Sequence, residues 1–179
     1  TKEKIYFIDS GIVDLLKERD FAQIVKRYGS NGEGLSPELK YALGMANYKE
    51  GHYKDAIKLF GEIKEDDLLY YDYVLYYKFL SYLENGDYVK AGEGFYKIRN
   101  KYPYFRYISD VIRKEALSYF KAKNKDALLN RFSTYHKDKY DDINLYLCEL
   151  YYKDNDFDKA LSYASKVLNT NNNDNIDKS

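Results

Sequence analysis

Along most of the chain, apolar residues recur at intervals of three to four, and short polar turns interrupt them every fifteen residues or so. This is the pattern of amphipathic helices joined in pairs. In residues 42–60, Leu43-Gly44 falls in one helix, Gly51 in a turn, Tyr53 just after it, and Ala56 and Phe60 four apart in a second helix. The same signs return as Gly86, Tyr88, Ala91 and Phe95, followed by Pro103, and again as Asn155, Phe157, Ala160 and Ala164. Ala56 and Ala91 are 35 residues apart, and Ala91 and Ala160 are 69 apart, room for one further unit between them. That unit takes Ala116 in its first helix and Leu128, Phe132 and Tyr135 in its second. A less regular unit fits the start with Ile12, Leu15, Phe21, Ile24 and Tyr28. The spacing therefore predicts one domain over residues 1–169 with helix pairs at about 4–28, 37–66, 68–102, 104–138 and 140–169. Residues 29–36, rich in Gly and Ser, are expected to be a flexible connection, and the Asn- and Asp-rich residues 170–179 a disordered tail.

The spacing has a steric cause. A small residue in the first helix (Gly44, Ala116, Cys148) and an alanine in the second (Ala56, Ala91, Ala160) let two helix axes approach to roughly 8–10 Å. Phe60 and Phe95, one turn beyond their alanines, fill the wedge to the following pair. Each pair leaves an apolar face open, so only a stack buries a continuous core. Two positions depart from the pattern: Leu128 stands where an alanine is expected, and Lys78-Phe79 replaces a Leu-Gly pair. A ring at Phe79 is expected to splay its hairpin.

These motifs resemble the tetratricopeptide-repeat family over nearly the whole chain. The resemblance implies an all-α fold: an open right-handed superhelix, or α-solenoid, of about five antiparallel helix pairs that binds protein segments in its concave face. Residues 72–103, with Asp72-Tyr73-Val74-Leu75-Tyr76-Tyr77, Asn85-Gly86-Asp87-Tyr88, Ala91, Phe95 and Tyr102-Pro103, are also similar to helical repeats of bacterial envelope proteins. Those include the superhelical segment of soluble lytic transglycosylases. The catalytic glutamate of that family lies in a separate domain in an Arg-Gln-Glu-Ser type of motif, and no Glu-Ser pair occurs in this chain. The resemblance implies a non-catalytic interaction scaffold or adaptor in a bacterial envelope assembly such as secretion, motility or cell-wall machinery. The alternative it implies is the non-catalytic helical domain of a peptidoglycan-acting enzyme, with peptidoglycan as a second partner class.

Composition adjusts this picture. Hydrophobic residues make up 45% of the chain, enough for a packed core, and only Pro37 and Pro103 could break helices. Twenty-three tyrosines and no tryptophan imply a core and clefts built of rings with a polar tip. The 29 basic and 29 acidic residues cancel, which argues against a nucleic-acid partner for the chain as a whole. The charge is uneven, however. Residues 97–139 carry 12 basic and 4 acidic side chains. That asymmetry could orient a partner, keeps RNA as a third alternative, and is also what chance spacing gives.

Little in the chain points to catalysis. The two histidines, His52 and His136, sit at hairpin ends, and with the single Cys148 they offer no metal-ligand spacing, so neither metal nor cofactor is expected. Cys148 lies in the small-residue slot of a helix and is expected to be buried. Gly29, Gly32 and Gly34 lack the Lys-Ser/Thr that a phosphate loop needs. Asp66-Asp67 and Asp141-Asp142 fall where helices begin, as do Asp72 and Ser109, and favourable charge or capping at helix N-termini explains them. The residues with functional promise face away from the hairpin partners along the first helices. They are Tyr41, Met45 and Tyr48; Tyr73, Tyr76 and Leu83; Arg113, Phe120 and Lys121; and Tyr152 and Lys153. In a repeat stack of this kind they line the concave side, where rings would meet apolar side chains of a peptide and cations its carboxylates. The competing expectation is that several of these rings simply pack between neighbouring hairpins. No apolar run is long enough to span a membrane. The lone cysteine permits the cytoplasm and does not exclude the periplasm, and the envelope resemblance implies a periplasmic or envelope location; no leader-type segment follows Thr1, and an upstream one is left open.

Overall fold

The computed structural model describes residues 10–29, 31–132 and 141–176. Among them are ten α-helices and no strand, in five consecutive pairs. The pairs are α1 (Ser10–Lys17) with α2 (Phe21–Tyr28), α3 (Pro37–Lys49) with α4 (Tyr53–Gly61), α5 (Tyr71–Glu84) with α6 (Tyr88–Lys101), α7 (Ile108–Lys121) with α8 (Lys125–Phe132), and α9 (Asp141–Lys153) with α10 (Phe157–Ile176). Each helix packs on its neighbours in the chain. The first helices of successive pairs also touch, α3 on α5, α5 on α7 and α7 on α9.

One turn is used five times. Arg19, Gly51, Gly86, Lys123 and Asn155 all have positive φ, between 55° and 85°. The N–H of the next residue (Asp20, His52, Asp87, Asn124, Asp156) donates five residues back into the first helix, at 2.8 to 3.0 Å. This is the Schellman closure of a helix end, which needs one left-handed residue. Gly51 and Gly86 take that conformation without strain, whereas Arg19 and Lys123 hold it against their own Cβ. In three of the five turns the side chain of the residue after the turn then caps the second helix. The side chains of Asp20, Asn124 and Asp156 accept from the N–H groups of Gln23, Ala127 and Lys159.

Counting from this turn aligns the pairs residue by residue. Five residues on stand Ile24, Ala56, Ala91, Leu128 and Ala160, all buried. Nine residues on stand Phe60, Phe95 and Phe132 in the middle pairs, all fully enclosed. Burying one such ring stabilises the fold by roughly 1.5–3 kcal/mol. Phe60 lies over Gly44, whose missing Cβ would come within 2.7 Å of the ring.

Three expectations change. Phe79 occupies the Gly44 position of its pair, and the hairpin accommodates the ring by placing Gly94, beside the retained Phe95, opposite it. The connection before α3 is anchored: Asn47 Nδ2 donates to the Gly29 carbonyl at 3.2 Å, and Ser36 caps α3 through Leu39 N. The helix α10 runs on to Ile176, so residues 170–176 are helical rather than a tail. No Gly or Pro interrupts that stretch, and extending an existing helix is far easier than starting one. Residues 4–9, 133–138, 140 and 177–179, with Tyr135 and His136, lie outside the described residues.

Candidate functional site

The first helices carry a connected ladder of rings. Tyr41 and Tyr48 of α3 meet Tyr77 of α5 at 6.4 and 5.7 Å between centroids. Tyr77 meets Tyr76 at 5.3 Å, and Tyr76 meets Tyr107, at the head of α7, at 5.6 Å. Tyr73 packs edge-on against Phe105 and Tyr107 at 4.9 and 5.8 Å, and Tyr70 closes on Tyr41 at 5.5 Å. Edge-to-face contacts of this kind add about 0.5–1.5 kcal/mol each beyond the area they bury. The rings on this seam stand seven residues apart on α3 (41 and 48) and three and four beyond Tyr73 on α5 (76 and 77), which is the spacing of one helix face.

Burial raises the pKa of five of these phenols, Tyr41, Tyr48, Tyr70, Tyr76 and Tyr77. Burial pushes the Tyr48 hydroxyl up to about 12, with Glu84 adding to the shift. Burial raises Tyr41 and Tyr77 as well. Tyr76 is raised by burial and by the hydrogen bond its hydroxyl donates to Asp110 Oδ2 at 2.6 Å. Carboxylates therefore border the ladder: Asp110 on Tyr76, Glu84 near Tyr48, Asp72 near Tyr41 and Glu38 near Tyr70. Neutral O–H groups and carboxylates along one seam form a hydrogen-bonding edge on an aromatic wall.

Of the face residues expected from the sequence, Tyr76 and Leu83 are buried and belong to the core between α5 and its neighbours, because the following pair closes over them. They are not part of an open surface. Tyr41, Met45, Tyr48, Tyr73 and Phe120 are half-buried. Phe120 stacks on Tyr146 of α9 at 4.5 Å. Arg113, Lys121, Tyr152 and Lys153 are exposed. Arg113 reaches Asp142 at 3.7 Å, Lys121 lies over the Tyr88 ring, and Lys153 pairs with Glu149 and lies over Phe120. Tyr41, Tyr48, Tyr73 and Tyr76 thus come together, while Phe120, Tyr152 and the cations are distributed over the second half. Tyr70 and Tyr107, the residues just before α5 and α7, are the most open rungs, and the spacing count passed over both.

A second constellation escaped the sequence entirely. Glu115 is completely buried and accepts from Arg99 through two bonds, Nε at 2.7 Å and Nη2 at 3.0 Å. Tyr119, also buried, donates to Glu93 Oε1 at 3.1 Å, and Arg131 joins Glu93 to the face of Tyr96. Burial pushes the Glu115 carboxyl up, against the opposing pull of Arg99. Two of the basic residues of the 97–139 stretch are thus engaged within the fold, Arg99 almost wholly buried and Arg131 partly exposed. The readable signal is register: Glu115 stands where the second and fifth pairs have Leu43 and Leu147, so a charge there requires a buried partner.

His52 is exposed before α4, and Cys148 is half-buried. Asp67 accepts from Lys64 N at 2.7 Å in a short 3₁₀ turn (Glu65–Asp67), and Asp141 and Asp142 open α9. Among the described residues no group of three His, Cys, Asp or Glu is placed to hold a metal ion, and no helix is long and apolar enough to cross a membrane. Comparisons with family models, curated proteins and solved structures found no match.

Proposed function

We propose that this chain is a non-catalytic, tetratricopeptide-like scaffold, its pairs stacked as an open right-handed superhelix, that grips an extended protein segment along the first helices. The observation that carries this is the aromatic ladder running from α3 through α5 to the head of α7. Its rings are fixed by their neighbours, and burial holds the hydroxyls of Tyr41, Tyr48, Tyr70, Tyr76 and Tyr77 in the protonated form. Rigid rings with a polar tip cost little ordering on binding, which suits them to anchor a partner. The turn repeated in all five pairs supports the repeat-stack reading, since one local geometry applied five times generates a regular array. The resemblance of residues 72–103 to envelope repeats supports a place in a bacterial envelope assembly.

The test is selection from a displayed random-peptide library against the wild-type chain and against a Tyr70→Ala/Tyr107→Ala variant. The wild type is expected to enrich a peptide family that the variant, with unchanged circular dichroism, does not retain. Enrichment of the same peptides by both would place binding elsewhere.

A further inference from the structure

The acids of the second half are matched within the fold. Asp142 pairs with Arg113, Glu149 with Lys153, Asp154 with Lys125 and Asp156 with Lys159. The acids of the ladder are not. Glu38 lies in the first turn of α3, one turn before Tyr41, and Asp72 in the first turn of α5, beside Tyr73. Glu84 ends α5 two turns beyond Tyr77, and Asp110 lies in the first turn of α7, one turn beyond Tyr107. Among the described residues none of these four carboxylates has a Lys or Arg within ion-pair distance. Lys40 on α3 is taken by Glu62 at 2.8 Å, and Arg113 on α7 by Asp142. Asp110 accepts from the Tyr76 hydroxyl through Oδ2 only, and Asp72 accepts from the N–H of Tyr73 at 2.9 Å through Oδ1 only. Glu38 and Glu84 are exposed.

The rings feel the same imbalance. After burial and neighbouring phenols, the charges that raise the ladder hydroxyls are carboxylates: Asp72 at Tyr41, Glu84 and Asp110 at Tyr48, and Glu38 at Tyr70. Around Tyr119, Tyr146 and Tyr163 a cation pulls the other way, Arg131, Arg113 and Lys159 in turn. The ladder rings also take cations on their faces. Lys49 lies over Tyr48 at 5.9 Å and Arg106 over Tyr107 at 5.7 Å, each from the adjacent position in the chain.

We infer that the segment gripped by the ladder is basic, with Arg or Lys side chains laid on the open rings of Tyr70 and Tyr107 and against Glu38, Asp72, Glu84 and Asp110. This rests on the peptide-binding reading above and fixes the chemistry of the partner. A ring face attracts a cation through its quadrupole, and an unmatched carboxylate beside it attracts the same cation. A guanidinium serves both at once, since its plane stacks while its fork meets the carboxylate. An acidic segment would meet like charge along the whole seam. The expected meeting of the partner's carboxylates with Lys and Arg is therefore reversed: Arg113 and Lys153 lie in the other half and already have acidic partners.

The displayed random-peptide library supplies the probes. The wild-type chain is expected to enrich peptides rich in Arg and Lys, and the affinity of such a peptide should fall as salt is added. Glu38→Gln combined with Glu84→Gln should weaken that peptide roughly fivefold with helical signal unchanged. Asp158→Asn on α10 should leave its affinity as it was. Enriched peptides that are acidic or uncharged, yet lost by the Tyr70→Ala/Tyr107→Ala variant, would overturn this inference while the ladder remains the site. Basic peptides indifferent to the two glutamate changes would overturn it as well. So would unfolding of the double glutamine variant, because the two side chains would then be committed within the fold. Peptides that the tyrosine variant retains, or no enrichment at all, would overturn the peptide-binding reading and this inference with it.

Discussion

Phe79 lies directly against Gly94: a Cβ built on the glycine would stand 2.0 Å from Cδ1 of the ring and 2.2 Å from its Cγ. Phe79 stands at the register position of Gly44, and Gly94, one residue before the Phe95 that matches Phe60, supplies the gap for its ring on the second helix. Because the ring is also held by Phe95 and Tyr82, it cannot swing aside freely. Gly94→Ala is therefore expected to destabilise the chain by about 1–3 kcal/mol through overpacking. Gly61→Ala, whose Cβ would meet only the Lys78 amine at 3.6 Å, should be neutral or slightly stabilising. Urea midpoints of the two variants decide this, and a shared loss would contradict the placement of Phe79.

The repeated turn makes an opposite pair of predictions. Lys123 holds φ at 55° and Gly86 at 85° in equivalent positions. Lys123→Gly should raise stability by about 0.5–1 kcal/mol, since the roughly 1–2 kcal/mol left-handed penalty exceeds the entropy that glycine adds to the unfolded chain. Gly86→Ala should lower it by a comparable amount. Thermal melts of both variants check the signs.

Arg99 and Glu115 are a buried pair, and breaking it differs from replacing it. Glu115→Leu restores the residue type of Leu43 and Leu147 at that register position but strands Arg99. It should cost about 3–5 kcal/mol. Arg99→Met combined with Glu115→Leu should recover most of that loss, because no buried charge remains unpaired. A double-mutant cycle by denaturant unfolding measures the recovery; additive losses would contradict the pairing.

Alkali should unfold the chain through its tyrosines. Burial raises Tyr48 to about 12 and raises Tyr41, Tyr76 and Tyr119 as well. Their folded values exceed those of the unfolded chain, so the stability they contribute is complete below about pH 10 and lost as pH rises above it. Absorbance of tyrosinate is expected to rise in two stages, exposed phenols first and the buried set only as helical signal disappears. A single titration near 10 with the helices intact would contradict the burial of the ladder.

Much of the fold is legible where the turn announces itself. Gly51, Gly86 and Asn155 mark three hairpins openly, and the alanines behind them fix the register. The hairpins at Arg19 and Lys123 use the same backbone without a turn-type residue, so only the interval between their neighbours gives them away. The Phe79–Gly94 contact is hidden because a motif specifies positions singly, while packing selects sizes in pairs. The candidate face was legible as a periodic row of rings. The depth of each ring was not, since Tyr76 and Leu83 are covered by the pair that follows, and Arg99 meets Glu115 only once α6 and α7 have packed.

The central claim is that a partner lies along the first helices. Hydrogen exchange of the wild-type chain, with and without a peptide enriched from the displayed library, tests it most directly. The account predicts slowed exchange in Pro37–Lys49, in Tyr71–Glu84 and at the head of α7, with α4 and α6 unchanged. Protection confined to α4, α6 or the α9–α10 end would contradict it.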